Sequence, residues 1–303
     1  MRVFLAYASV ILLWATTPLA IKWSAEGAGF VFGAASRMLI GFICVTLILL
    51  LRQQKLPFHS QARQTYLAVA LQIFGAMMAV YWASRLIPSG WISVIFGLTP
   101  FITALMSALI LNENSLSIGK IASYLLGIGG LAMMFSSALE LSPQAIAGIS
   151  GVLLAATLQA ASAVWVKKID AHLPAMTQVS GGLLFAMPLY LLSWYALEQG
   201  QLPASISWRT AAAILYLGVV ATTFGFAMYY YVLIHLPATK VAFITIMSPV
   251  MALYLGYSIN HEPITPKVML GTALILSALL LHQFFDRRSR HRQIKASYFA
   301  NKR

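Results

Sequence analysis

The stretch Leu86–Glu113, LIPSGWISVIFGLTPFITALMSALILNE, returns at His235–Glu262 as HLPATKVAFITIMSPVMALYLGYSINHE. A shift of 149 positions lays Pro88 on Pro237, Ile95 on Ile244, Pro100 on Pro249, Ile110 on Ile259 and Glu113 on Glu262. Most positions between are conservative exchanges, such as Ile92 for Val241, Leu98 for Met247 and Thr99 for Ser248. An apolar segment with a proline in its middle and a glutamate at its end is therefore present twice.

The whole chain shares this character. Of its 303 residues 60% are hydrophobic and 9% charged, against roughly 45–50% and about 25% in a soluble domain. A water-soluble fold is excluded. Ten segments, at 3–21, 30–51, 65–85, 90–111, 118–136, 146–166, 177–196, 210–232, 239–259 and 267–284, are each long enough to cross ~30 Å of hydrocarbon as helices that satisfy their own backbone. The period-two alternation of a barrel is missing. The expected fold is an all-α membrane protein of ten transmembrane helices: one five-helix repeat over 1–140, a second over 141–285, and a basic tail over 286–303. The first segment is too long for a signal peptide and has a counterpart in the second half.

Lysine and arginine set the expected orientation. Arg2, Arg52, Lys55, Arg63, Lys120, Lys167, Lys168, Lys240 and the tail cations from Arg287 onward fall on one side, which makes it cytoplasmic and places both termini there. Lys22, Arg37, Arg85, Arg209 and Lys267 fall outside or in the outer part of a span. The net charge of +13 is thus a topology signal, not a nucleic-acid surface. The tail suits anionic lipid headgroups, and a merely solvated tail reads equally well. Five helices per repeat is odd, so the halves are inverted about a pseudo-two-fold axis in the membrane plane, as alternating access requires.

Trp14-Ala15-Thr16-Thr17-Pro18-Leu19-Ala20-Ile21-Lys22, then Arg37, then the doubled Pro-x11-Pro-x12-Glu pattern resemble the drug/metabolite transporter superfamily, in its ten-helix EamA-type form. The resemblance covers about 3–284. It implies a carrier of the cytoplasmic (inner) membrane that exports amino acids or related small metabolites by alternating access. The sixth span departs from the first, with Gln159 in place of Trp14 and no proline matching Pro18.

Pro18, Pro100 and Pro249 are expected to kink their helices and free the carbonyls of Trp14, Phe96 and Thr245. Beside them Thr17, Thr99, Thr103, Thr245 and Ser248 offer hydroxyls to a central cavity or simply pack. Arg37 within a span is costly, ~2.5–3.5 kcal/mol at a helix centre. It reads either as an anion-attracting residue, holding a substrate carboxylate, or as a structural partner of a carbonyl or Glu26. Gln72, Gln159, Ser162 and Thr222 either join helices by hydrogen bonds or line the cavity with Trp14, Trp82, Trp91, Trp165 and Tyr229. Glu113 and Glu262 read as helix-end residues bonded to loop amides or as gate latches. No acidic residue sits at mid-membrane depth, so proton coupling is unsupported. Gly127, Gly129, Gly130, Gly181 and Gly182 read as close helix contacts.

The lone cysteine, Cys44, excludes a disulfide framework and a cysteine-based zinc site. The histidines lack metal spacing, and no nucleophile motif or carboxylate pair appears. No catalytic residue, metal or cofactor is expected. Beside the small-solute carrier, three alternatives stay open: a non-transporting membrane sensor or assembly partner, an intramembrane enzyme on lipid-linked substrates, and a carrier of nucleotide-like or drug cargo. Oligomeric state is not legible.

Overall fold

A computed structural model describes residues 2–111, 118–225, 228, 232, 235 and 244–300, with side chains through Phe285. Every regular element among the described residues is helical. In chain order these are α1 (Arg2–Ala25), α2 (Phe30–Leu51) and a composite third span of α3 (Ser60–Ala70), a π-helical turn π1 (Leu71–Ala76) and α4 (Met77–Ala83). The fourth span is broken into α5 (Ser89–Phe96) and α6 (Thr99–Ile110). There follow α7 (Ile118–Leu141), α8 (Pro143–Ile169), α9 (Ala175–Glu198), α10 (Trp208–Leu215) running into π2 (Tyr216–Phe224), α11 (Ile244–Asn260) and α12 (Pro266–Ala300).

Among the described residues, eight helices are long and apolar enough to cross a membrane, and Trp208–Phe224 and Ile244–Asn260 are shorter apolar helices. The eighth and ninth expected segments run partly outside the described residues. α12 also continues to Ala300, past the expected end of the last span.

Local chemistry sets several boundaries. The Ser142 hydroxyl caps α8 by accepting from the Ala145 amide at 3.1 Å, with Pro143 in the first turn, where its missing N–H costs nothing. Ser207 caps α10 in the same way through Thr210 N–H. Leu50, Leu51, Leu125, Leu191 and Leu192 are exposed along the outside of the bundle. An apolar surface of that extent is stable only against lipid.

Inside, α7 packs on α12, α1 on α11, α2 on α9 and π2, α3 on α9, α5 on α11, and α6 on α8. The α7–α12 pair crosses at two glycines. A Cβ on Gly130 would lie 2.7 Å from the Gly271 carbonyl oxygen, and one on Gly271 2.8 Å from that of Gly130. Gly129, expected as another contact, has open space at its Cβ. Gly130→Val is therefore expected to wedge the pair apart at a cost of about 1–3 kcal/mol, lowering the melting temperature of purified protein, while Gly129→Ala leaves it unchanged.

Candidate functional site

One end of the bundle is closed by a polar staple centred on Glu262. This carboxylate, 6% exposed, follows α11. Its Oε2 accepts from the amide and hydroxyl of Ser89 at 2.8 and 2.9 Å, at the start of α5. Oε1 accepts from Asn260 Nδ2 at 2.9 Å and pairs with Lys22 Nζ, near the end of α1, at 3.3 Å. An anion at a helix N-terminus also meets the positive end of the helix dipole. Burial pushes the Glu262 pKa up, but the Ser89 amide, the Lys22 charge, the Asn260 amide and the Ser89 hydroxyl together hold it below its ordinary value.

The staple extends sideways. Asn260 Oδ1 accepts from the Trp23 indole at 3.0 Å, Arg209 lies over the Trp23 ring, and Arg209 pairs with Glu26. Lys267 pairs with Glu140, and the Glu198 carboxylate caps α2 by accepting from the Val31 and Phe32 amides, each at 3.0 Å. Glu26, read from sequence as a possible partner of Arg37, is thus engaged by Arg209 from α10 instead.

Beneath this end lies Arg37, 7% exposed, between the two π segments. Its Nε faces Thr222 Oγ1 of π2 at 3.4 Å, and Nη1 faces Met77 Sδ, just after π1, at 4.0 Å. No carboxylate pairs with it among the described residues. Thr222 donates its hydroxyl hydrogen to the Leu217 carbonyl at 2.8 Å, five residues back, leaving its lone pairs toward the guanidinium. Gly41 lets α2 come this close, since a Cβ there would lie 2.9 Å from Thr222 Cγ2. Each π segment is held by a tyrosine: Tyr190 of α9 donates to the Ile73 carbonyl at 2.6 Å, and Tyr216 shares a hydrogen bond with Thr16 of α1 at 2.5 Å. π turns leave backbone groups without regular partners and recur at functional sites. Shifted by 149, π1 falls on π2 over most of its length.

The fourth span breaks at Gly97 and Leu98, and Pro100 sits in the first turn of α6. The sequence predicts a kink inside a continuous helix; the span instead stops before the proline and restarts where a proline is best tolerated. α5 packs on α11, α8 and α1, and α6 packs on α8. The two halves of this span thus share α8, and the first half alone is held by α11 and α1 as well. At the far end a cavity of about 610 Å³ opens among α3, α6 and α8.

Of the other predicted residues, Trp165 lines this cavity. Trp91 is buried at the start of α5, its indole N–H without a partner. Trp82 lies against Gly151 of α8, and Trp14 is 37% exposed. Pro18 and Pro249 lie within α1 and α11, and the residues before them, Thr17 and Ser248, donate to the Leu13 and Ile244 carbonyls at 2.6 and 2.7 Å. Thr103 likewise donates to the Thr99 carbonyl, while Thr99 Oγ1 has no partner. Ser162 is buried; Gln72, Gln159 and Thr245 are half-buried. Glu113 and Tyr229 lie outside the described residues. The sequence reading missed Tyr190, Tyr216 and Met77, which carry no motif, and the burial of Lys120, 3% exposed, which it counted among the cytoplasmic-side cations. No cluster of metal-ligating side chains occurs among the described residues.

Comparison with known proteins matches the chain to the EamA-like transporter family at residues 1–136 and 146–282. It is 26% identical over 290 residues to the uncharacterized transporter YoaV of Bacillus subtilis (strain 168), covering 95% of this chain and 99% of that one. It is 26% identical over 219 residues to a probable amino-acid metabolite efflux pump of Salmonella typhimurium, covering 70% and 73% of the two chains. A solved crystal structure superposes with a TM-score of 0.62 at 20% identity, over 95% of this chain and 99% of the other. That likeness extends to the fold alone. With apolar spans and a family match over nearly its whole length, the chain belongs to the EamA-like transporter family.

Proposed function

We propose that this transporter moves amino acids or related small metabolites out of the cell across the cytoplasmic membrane by alternating access, with both termini in the cytoplasm. The observation that carries the reading is the polarity of the bundle along its axis. The Glu262 end is stapled by ion pairs and capped helices, while the fourth span breaks between α5 and α6 below it and a cavity opens at the Lys168 end. This is the form expected of a carrier closed to one side. The bias of lysine and arginine supports a cytoplasmic Lys168 end, and the inverted repeat supplies a second state by exchanging the roles of the halves. Glu262 is then a latch, and Arg37, a buried cation between the repeats with no carboxylate partner among the described residues, is the residue that meets the cargo's carboxylate.

The name of the Salmonella relative supports amino-acid-like cargo. A nucleotide-like cargo is less well served, because Arg37 and Lys120 are the buried cations among the described residues and they lie on α2 and α7, elements with no principal packing contact. The test is transport by purified full-length protein in liposomes against a panel of amino acids, amines and nucleobases. Saturable movement of at least one carboxylate-bearing compound is expected; a panel on which nothing moves would remove the reading.

A further inference from the structure

We propose that the cavity among α3, α6 and α8 is a recruiting subsite for cargo that carries a carboxylate on an aromatic or branched hydrocarbon body. This rests on the transport reading above and names the cargo class more narrowly. The volume of about 610 Å³ lies within the ~300–1,000 Å³ of small-molecule sites. Gln61 and Gln64, one turn apart on α3, and Trp165 and Lys168, one turn apart on α8, face it from two sides, while Met106 and Ile110 of α6 close it with hydrocarbon.

Among the described residues the lining of this cavity offers four groups that can donate, the two carboxamides, the indole N–H and the ammonium, and no carboxylate. None of the four has a side-chain hydrogen bond or ion pair among the described residues. At the opposite end Lys22, Arg209 and Lys267 each hold a glutamate. A cation with no anion beside it among the described residues, faced by N–H groups without side-chain partners, fits an anionic oxygen. The indole face and the methionine and isoleucine side chains fit an apolar body. Lys168 is exposed, so its attraction is screened and suits capture and release. Arg37, buried and able to offer a planar fork, suits holding.

The same chemistry would receive the phosphodiester of a lipid headgroup, so the experiment has two lipid arms. Full-length protein is reconstituted in liposomes of neutral lipid and of neutral lipid with added anionic lipid, and transport of phenylalanine is compared with that of phenylalaninamide. Lys168→Gln is expected to raise KM for phenylalanine about 5-fold in both lipids, with kcat and the amide's KM unchanged. Lys168→Arg restores the wild-type value. Trp165→Ala raises KM for both probes. An unchanged ratio of the two KM values in Lys168→Gln overturns the proposal, as does an effect confined to anionic liposomes, which assigns the cation to lipid. Wild-type protein that moves other compounds of the panel but neither probe overturns it too, with the transport reading intact. If nothing on the panel moves, the transport reading itself has failed.

Discussion

Arg37→Ala is expected to cut transport of a carboxylate-bearing cargo about 10- to 100-fold per folded molecule. A hydrogen bond to a charged group contributes about 1.5–3 kcal/mol, and each 1.4 kcal/mol is tenfold in an equilibrium. The guanidinium is buried, yet its contacts are a hydroxyl at 3.4 Å and a thioether at 4.0 Å. Neither neutralises a charge, and most of the five N–H donors of an arginine are left for something else. Arg37→Lys keeps the charge but loses the planar fork, so it is expected to recover only part of the activity. Stability separates this role from a structural one. Removing a buried charge that has no carboxylate partner among the described residues is expected to leave the melting temperature unchanged or raise it. A variant that folds poorly but transports normally per molecule would show that Arg37 only bridges π2 and the third span.

What was legible in the sequence follows from what is local. Span length and hydropathy are properties of a window, so most of the helical segments could be read directly, although the sequence reading begins the sixth at 146 and overlooks its Ser142 cap and first-turn Pro143, which act within one turn. Pro100 was visible, but whether it kinks a helix or begins one depends on Gly97 and Leu98 and on α11 and α1 holding α5 alone. The π turns have no sequence signature of their own. π1 is held by the Tyr190 hydroxyl, 117 residues away along the chain, and π2 by Arg37 and Thr16. Glu26 failed as the partner of Arg37 for the same reason: nothing near it in sequence announces Arg209. Glu262 was legible as a helix-end acid, while its partners Ser89 and Lys22 lie more than 170 positions away in the first half of the chain.

Those long-range partners make Glu262 the strongest test of closure. Glu262→Gln keeps the shape of the side chain and one acceptor oxygen but removes the charge that faces Lys22 and the start of α5. Breaking a buried pair in this way costs about 3–5 kcal/mol when the remaining charge stays buried. Lys22 is 24% exposed at its side chain and also donates to the Ile87 carbonyl at 3.2 Å, so the cost here is nearer 2 kcal/mol. That is still about a 30-fold shift of a two-state equilibrium away from the stapled form. A cysteine placed by Thr99→Cys in a Cys44→Ser background reads the shift. Thr99 lies just past the break in the fourth span, and an impermeant thiol reagent added from the Glu262 side should reach it at least tenfold faster in Glu262→Gln.

The pH dependence has a fixed sign. The folded pKa of Glu262 lies below its ordinary value, so its stabilisation is complete above the ordinary carboxylate range and is lost as pH falls through the folded value. The melting temperature of wild-type protein should therefore fall toward that of Glu262→Gln as the solution is acidified below the ordinary carboxylate range, with the difference at its full size at neutral pH. Equal labelling rates at neutral pH, or a difference in melting temperature that does not shrink in acid, would show that the staple does not hold this end closed. The Glu198 cap on α2 and the Lys267–Glu140 pair would then carry the closure without it.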